Sequence, residues 1–126
     1  MKKASTICII DDDSIYTYAL KYLINFSKLF SEIIEYPNGR DAFYAFEKQI
    51  KEGATLPDVI LLDINMPIWN GWHFLEELEK SQYHHLNVYI MTSSINSYDK
   101  NKAKSFSFIK GFFEKPLGED DLKKLS

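Results

Sequence analysis

Four short apolar runs along the chain each stop at a polar residue. Ile9-Ile10 runs into Asp11-Asp12-Asp13, Ile60-Leu61-Leu62 into Asp63, Tyr89-Ile90-Met91 into Thr92, and Phe112-Phe113 into Glu114-Lys115-Pro116. Runs of this length and content read as strands. The pattern predicts strands over Thr6 to Ile10, Glu32 to Tyr36, Val59 to Leu62, Val88 to Met91 and Gly111 to Phe113. Between them it predicts helices over Ser14 to about Phe26, capped by Asp13 or Ser14, Arg40 to Lys51, and Gly71 to Lys80. A polar helix over Tyr98 to Phe106 and a short last one over Glu119 to Leu125 complete the set. Pro37-Asn38-Gly39, Gly53 to Pro57 and Asn65-Met66-Pro67 supply turns.

Strand and helix in alternation imply a parallel sheet covered on both faces, because parallel neighbours need crossovers and crossovers are right-handed. The expected fold class is α/β, doubly wound. In such a sheet the carboxyl ends of the strands share one edge, where ligands bind. Topology therefore gathers Asp11, Asp12, Asp63, Thr92 and Lys115 into one candidate site.

Each of these residues has an ordinary structural role when taken alone. An aspartate caps a helix, a strand threonine satisfies its own hydroxyl, and a lysine sits in water. One cap needs only one aspartate, however, and Asp63 emerges from an unbroken apolar strand, where an acid is costly unless solvated, hydrogen-bonded or bound to a cation. Clustered carboxylates repel until a hard divalent cation neutralises them, and Mg2+ prefers carboxylates, carbonyls, waters and phosphate oxygens. An aspartate so placed acts as a nucleophile toward a phosphoryl group. Lysine and Mg2+ then stabilise the charge on that group, and a threonine hydroxyl bonds one of its oxygens.

Composition narrows the partners. At 126 residues the chain is read as one domain, 1–126, with no effector domain. Hydrophobic residues at 45% and aromatic residues at 15% exclude a disordered chain. A net charge of -3, with the late lysines set among Glu119, Asp120 and Asp121, gives no basic footprint and argues against direct nucleic-acid binding. No apolar run approaches the roughly 20 residues of a membrane helix. Met1-Lys2-Lys3-Ala4 leads into a strand rather than a signal-peptide core, so the expected location is cytoplasmic. Cys8 reads as a buried small hydrophobe and His84-His85 as a surface pair.

The acidic pair Asp11-Asp12, the stretch from Pro57 to Pro67, Gly71, Thr92-Ser93 and Lys115-Pro116 together resemble the receiver domain of two-component response regulators, over almost the whole chain. The resemblance implies a flavodoxin-like five-stranded parallel sheet in the order 2-1-3-4-5. It implies Asp63 as phospho-acceptor and a Mg2+ site built from Asp11, Asp12, Asp63 and the Asn65 backbone carbonyl. Lys115 is the implied phosphoryl contact, Thr92 the switch hydroxyl and Phe112 the aromatic switch residue. Phosphorylation would draw Thr92 inward and let Phe112 repack, shifting a two-state equilibrium on the face of the fourth helix, fifth strand and fifth helix. The implied donor is a sensor histidine kinase or histidine phosphotransfer protein, and the output a downstream protein target.

Several positions depart from the family pattern. Asn70 stands where many relatives carry an acid, Trp69 adds a large ring beside the acceptor loop, and Asn65 and Ser94 occupy positions that tune acyl phosphate lifetime. The short last helix offers little surface, so a monomer or weak dimer is expected. In the first helix Tyr16, Leu20, Leu23 and Ile24 form a core stripe, while Ile15, Tyr18, Tyr22 and Phe26 form a second apolar stripe that the same sheet cannot also bury. In receivers this helix docks the phosphodonor.

Two rival readings use the same residues. In a phosphohydrolase of the haloacid dehalogenase type, Asp11 is the nucleophile and Asp13 its partner, with Thr92 and Lys115 as later motifs; the stretch around Asp63 then has no role. A receiver-like module that binds without phosphorylation would not need the full set of acids, threonine and lysine. The reading adopted is a receiver that catalyses its own phosphorylation and autodephosphorylation but acts on no metabolite.

Overall fold

The structure, a computed structural model, describes residues 6–81, 83 and 85–125. It consists of β1 (Thr6–Ile10), α1 (Ser14–Ser27), β2 (Glu32–Tyr36), α2 (Gly39–Lys51), β3 (Val59–Asp63), α3 (Gly71–Lys80), β4 (Val88–Thr92), α4 (Ser97–Ala103), β5 (Ile109–Glu114) and α5 (Glu119–Lys123). All four strand pairings are parallel and the order is β2-β1-β3-β4-β5, as the resemblance implied.

Alternation along the strands sorts the core into two layers. Cys8, Ile10, Ile60, Leu62, Val88 and Ile90 face one way, onto Ala42, Phe43 and Phe46 of α2 and Phe74, Leu75 and Leu78 of α3. Ile7, Ile9, Val59, Leu61 and Met91 face the other way, onto Leu20 and Ile24 of α1 and Leu122 of α5. The central strands β1 and β3 are buried on both faces, which is why they read as unbroken apolar runs. Cys8 is buried as expected, and burial pushes its thiol pKa up.

Side-chain caps set where the helices begin. Asp13 Oδ1 accepts the Tyr16 N–H at 3.0 Å, Asn38 Oδ1 the Asp41 N–H at 2.8 Å, Asn70 Oδ1 the His73 N–H at 2.9 Å and Asn96 Oδ1 the Asp99 N–H at 2.8 Å. Asn70 thus has a structural task as the start of α3. The caps at Asn38 and Asn96 move α2 and α4 one residue earlier than the apolar pattern indicated.

The last two helices are shorter than expected. Beyond Ala103, Lys104, Ser105 and Phe106 bond back three residues instead of four, so the α-helix ends and the chain tightens. Lys124 and Leu125 do the same after α5. Three strands are longer than expected: β3 includes Asp63, β4 includes Thr92, and β5 runs from Ile109 to Glu114. The ladder carries polar residues at its ends as readily as apolar ones, since pairing uses only the backbone.

The second stripe of α1 is unburied, as its spacing required: Ile15, Tyr18, Tyr22 and Phe26 are each at least 66% exposed. His85 is exposed, and His84 lies outside the described residues. Among the described residues no helix is long and apolar enough to cross a membrane.

Candidate functional site

The site forms where β1, β3, β4 and β5 end together. Asp11 follows β1, and its N–H bonds to the Tyr36 carbonyl at 3.1 Å, which continues the β1–β2 pairing by one residue and fixes the carboxylate's direction. Asp63 closes β3 and pairs in register with Met91. Both aspartates are buried, whereas Asp12 is exposed. The backbone N–H of Lys115 bonds to the Thr92 carbonyl at 2.8 Å, so the residue after β5 is tied to the end of β4.

Carboxylate oxygens of Asp11, Asp12 and Asp63 lie within 4.8 Å of one another. Lys115 Nζ donates to Asp11 Oδ2 at 2.7 Å and lies 3.6 Å from Asp63 Oδ1. Asp11 Oδ1 also accepts the Asp13 N–H at 2.9 Å. Asp11 is therefore the satisfied acid of the pair and Asp63 the surplus one.

The electrostatics agree with that division. Burial, followed by the charge of Asp11, pushes the Asp63 pKa up from 3.8 to about 6, against the pull of Lys115 and of the Asn65 N–H. For Lys115, burial acts to lower the pKa, but the hydrogen bond and charge of Asp11 outweigh it and the amine is raised overall. A lysine so held stays protonated at neutral pH. Three carboxylates at this separation are a donor set for a hard divalent cation with oxygen ligands, and such an ion would relieve the cost that Asp63 bears.

Close packing holds the acceptor strand against the next helix. A Cβ on Gly71 would stand 2.7 Å from the Asp63 carbonyl oxygen and 2.9 Å from Ile64 Cα, so only glycine lets α3 begin there. The Gly71 N–H bonds to the Ile64 carbonyl at 2.8 Å and closes the intervening loop. Within that loop Ile68 has φ 70°, the left-handed region that β-branched residues avoid. Asn65 is exposed in the same loop. Trp69 leans on Phe43 and Tyr44 of α2 and stacks on His73 with ring centroids 4.2 Å apart.

Thr92 is buried at the end of β4, where its hydroxyl donates to the Ser94 carbonyl at 3.2 Å. Phe112 is half-buried opposite Ile90 and lines a groove of about 320 Å³ between α4 and β5. The structure thus brings Asp11, Asp12 and Asp63 together with Lys115 against Asp11 and Asp63, with Thr92 on the same edge and Phe112 two strand positions inside it.

Tyr16 is a neighbour that the sequence assigned only to the core. Its ring lies 4.7 Å from Lys115 Nζ, and its hydroxyl oxygen accepts the Leu117 N–H at 3.3 Å. Its position in the first turn of a helix starting from the acidic run was the available signal. The contacts give the hydrolase reading, with Asp11 as nucleophile, less support than the receiver reading: Asp13 is engaged as the α1 cap, and Asp11 is held by Lys115.

Comparison with known proteins agrees with this geometry. The response regulator receiver domain family matches residues 7–126. The nitrate/nitrite response regulator protein NarL of Escherichia coli K12 is 30% identical over 125 residues, covering 98% of this chain and 53% of that protein. The chain thus spans about half the length of that curated relative. A two-component response regulator from Cytophaga hutchinsonii superposes with TM-score 0.89 at 26% identity, covering 98% of this chain and 95% of the other. One from Legionella pneumophila gives TM-score 0.83 at 30% identity, with 96% and 94% covered. The chain belongs to the response regulator receiver domain family.

Proposed function

We propose that this chain accepts a phosphoryl group on Asp63 from a phosphohistidine donor and signals by changing a protein-binding face. The observation that carries this reading is the buried, surplus carboxylate of Asp63 at a sheet edge, with Lys115 Nζ 3.6 Å away and two further acids beside it. An Asp63 oxygen attacks phosphorus and the phosphorus–nitrogen bond to the donor imidazole breaks, with the ring taking the bonding electron pair. The product is an acyl phosphate on Asp63. Lys115, protonated and directed into the site, stabilises the transferred oxygens. Asp11, Asp12, Asp63 and the Asn65 carbonyl would hold Mg2+, which when bound supplies charge neutralisation for acids and phosphoryl oxygens alike. Water returns Asp63 to the free acid, so the chain turns over only its own phosphoryl group and no metabolite.

The switch reading rests on Thr92 and Phe112. The Thr92 hydroxyl bonds the local backbone at Ser94, an exchangeable partner for a phosphoryl oxygen. Phe112 borders a groove also lined by Ala103, Phe106 and Ile109, which gives its ring somewhere to repack. α4 is the element suited to respond: it has seven residues, only Ala103 is buried, and Lys102 over the Trp72 and Tyr98 rings ties it down. Lys100, Lys104 and Lys110 rim the same groove and favour an acidic segment of the downstream protein. On the opposite face of the sheet, the exposed stripe Ile15, Tyr18, Tyr22 and Phe26 is the proposed docking surface for the kinase or phosphotransfer protein. A cytoplasmic location follows from those partners.

The test is intact mass after incubation with a small phosphodonor and Mg2+. One added phosphoryl group in the wild type, absent in Asp63→Asn, is expected. No adduct at all would favour phosphorylation-independent binding and overturn the proposal.

A further inference from the structure

We propose that Tyr16 is a positioning residue for Lys115, seating its ammonium group over the acceptor and clamping the backbone that carries it. The proposal rests on the acceptor reading of Asp63. A lysine ammonium is a compact charge on a long, rotatable stem, and carboxylates alone hold it loosely in direction. Here Asp11 and Asp63 lie within 2.7 and 3.6 Å of Nζ, while the Tyr16 ring centroid is 4.7 Å away. That is inside the reach of about 6 Å at which a ring face attracts a cation.

The same side chain acts at a second point. Its phenol oxygen accepts the Leu117 N–H at 3.3 Å, two residues beyond Lys115 in the connection between β5 and α5. One residue therefore touches both the ammonium group and the backbone that delivers it. Tyr16 is itself fixed to the acidic cluster, because its N–H donates to Asp13, the cap that directly follows Asp11 and Asp12.

Asp11 and Asp63 are the groups that a cation and a phosphoryl group would claim, so the hold of Lys115 on them must change during transfer. The ring carries no net charge and presents no lone pair on its face. It keeps its contact whichever acid the ammonium group faces, and so is the fixed point about which Lys115 works. Tyr16 also packs against the α1 side of the core, so the test must separate packing from positioning.

The experiment uses the whole chain with Tyr16→Phe, which keeps the ring and loses the hydroxyl, and Tyr16→Leu, which loses the ring face. Phenylalanines of increasing fluorination at position 16 keep the shape while draining the ring face of negative charge. Two quantities are read: the rate of acyl phosphate formation from a small phosphodonor with Mg2+, and the equilibrium affinity for beryllofluoride by calorimetry. Thermal midpoints report folding. Tyr16→Phe is expected to lose about twofold to threefold in each, and Tyr16→Leu about tenfold. The fluorinated series should fall between them in order of fluorine count at a constant midpoint. If Leu and the fluorinated rings match Phe in rate and affinity, the positioning role is overturned. Should Tyr16→Leu fail to fold, the fluorinated series decides alone. A wild type that takes no phosphoryl group overturns the acceptor reading itself, and the positioning role with it.

Discussion

Replacing Asp63 with asparagine removes the surplus charge from a buried cluster and leaves the Lys115–Asp11 contact at 2.7 Å in place. In the folded chain Asp63 gives up its proton near pH 6 instead of near 3.8. Between those values the folded state holds a proton that the unfolded state has lost, so each rise in pH favours unfolding. The penalty is absent below about pH 4, grows through pH 6, and is complete above it. The gap between 3.8 and about 6 corresponds to about 3 kcal/mol. The uncharged amide of the Asp63→Asn variant would bear no such cost; the shift already includes the pull of Lys115, and solvent screening at the partly open site trims the expected net gain to about 2 kcal/mol at pH 8. The assay is urea unfolding of both proteins in a chelator at pH 4, 6 and 8. The variant should be more stable at pH 8, with the difference closing toward pH 4. A difference that does not depend on pH, or an Asp63→Asn protein less stable at pH 8, would refute the surplus-charge assignment.

Three further outcomes follow from the same structure. Millimolar Mg2+ should stabilise the wild type at pH 8, by about 1.4 kcal/mol at ten times its dissociation constant, and should do so less in Asp11→Asn or Asp63→Asn, as read by thermal midpoints with and without chelator. Gly71→Ala should lower stability by roughly 2 kcal/mol, because its Cβ would meet the Asp63 carbonyl at 2.7 Å; a urea midpoint equal to wild type would contradict the packing described. Among the described residues Thr17, buried in α1, has no hydrogen-bond partner for its hydroxyl, so Thr17→Val should raise stability by about 1 kcal/mol in the same assay.

The sheet was legible in the chain because buried parallel strands leave apolar runs with abrupt polar ends, and those ends are the site. Asp11, Asp63, Thr92 and Lys115 could be placed on one edge from topology alone. Helix boundaries were less legible. Asn38 and Asn96 start their helices through single side-chain bonds that hydrophobic spacing does not record. The ends of α4 and α5 turn on three-residue bonds, a local choice with no apolar signature. Thr17, between the two stripes of α1, gave no sign of burial because its neighbours on both faces are apolar. The left-handed Ile68 was also hidden, since residue type argues against that conformation. Tyr16 was read as core, and it is partly so. Its contact with Lys115 spans about a hundred residues and exists only once β1 and β5 end on the same edge.

The central claim is that Asp63 carries the phosphoryl group. Acyl phosphates are reduced by borohydride to the corresponding alcohol, which converts the modified aspartate to homoserine and marks the acceptor permanently. Peptide mapping of the wild-type protein after phosphorylation and reduction should find homoserine at position 63 and unchanged aspartate at positions 11, 12 and 13. Homoserine at position 11, with Asp63 intact, would contradict the claim.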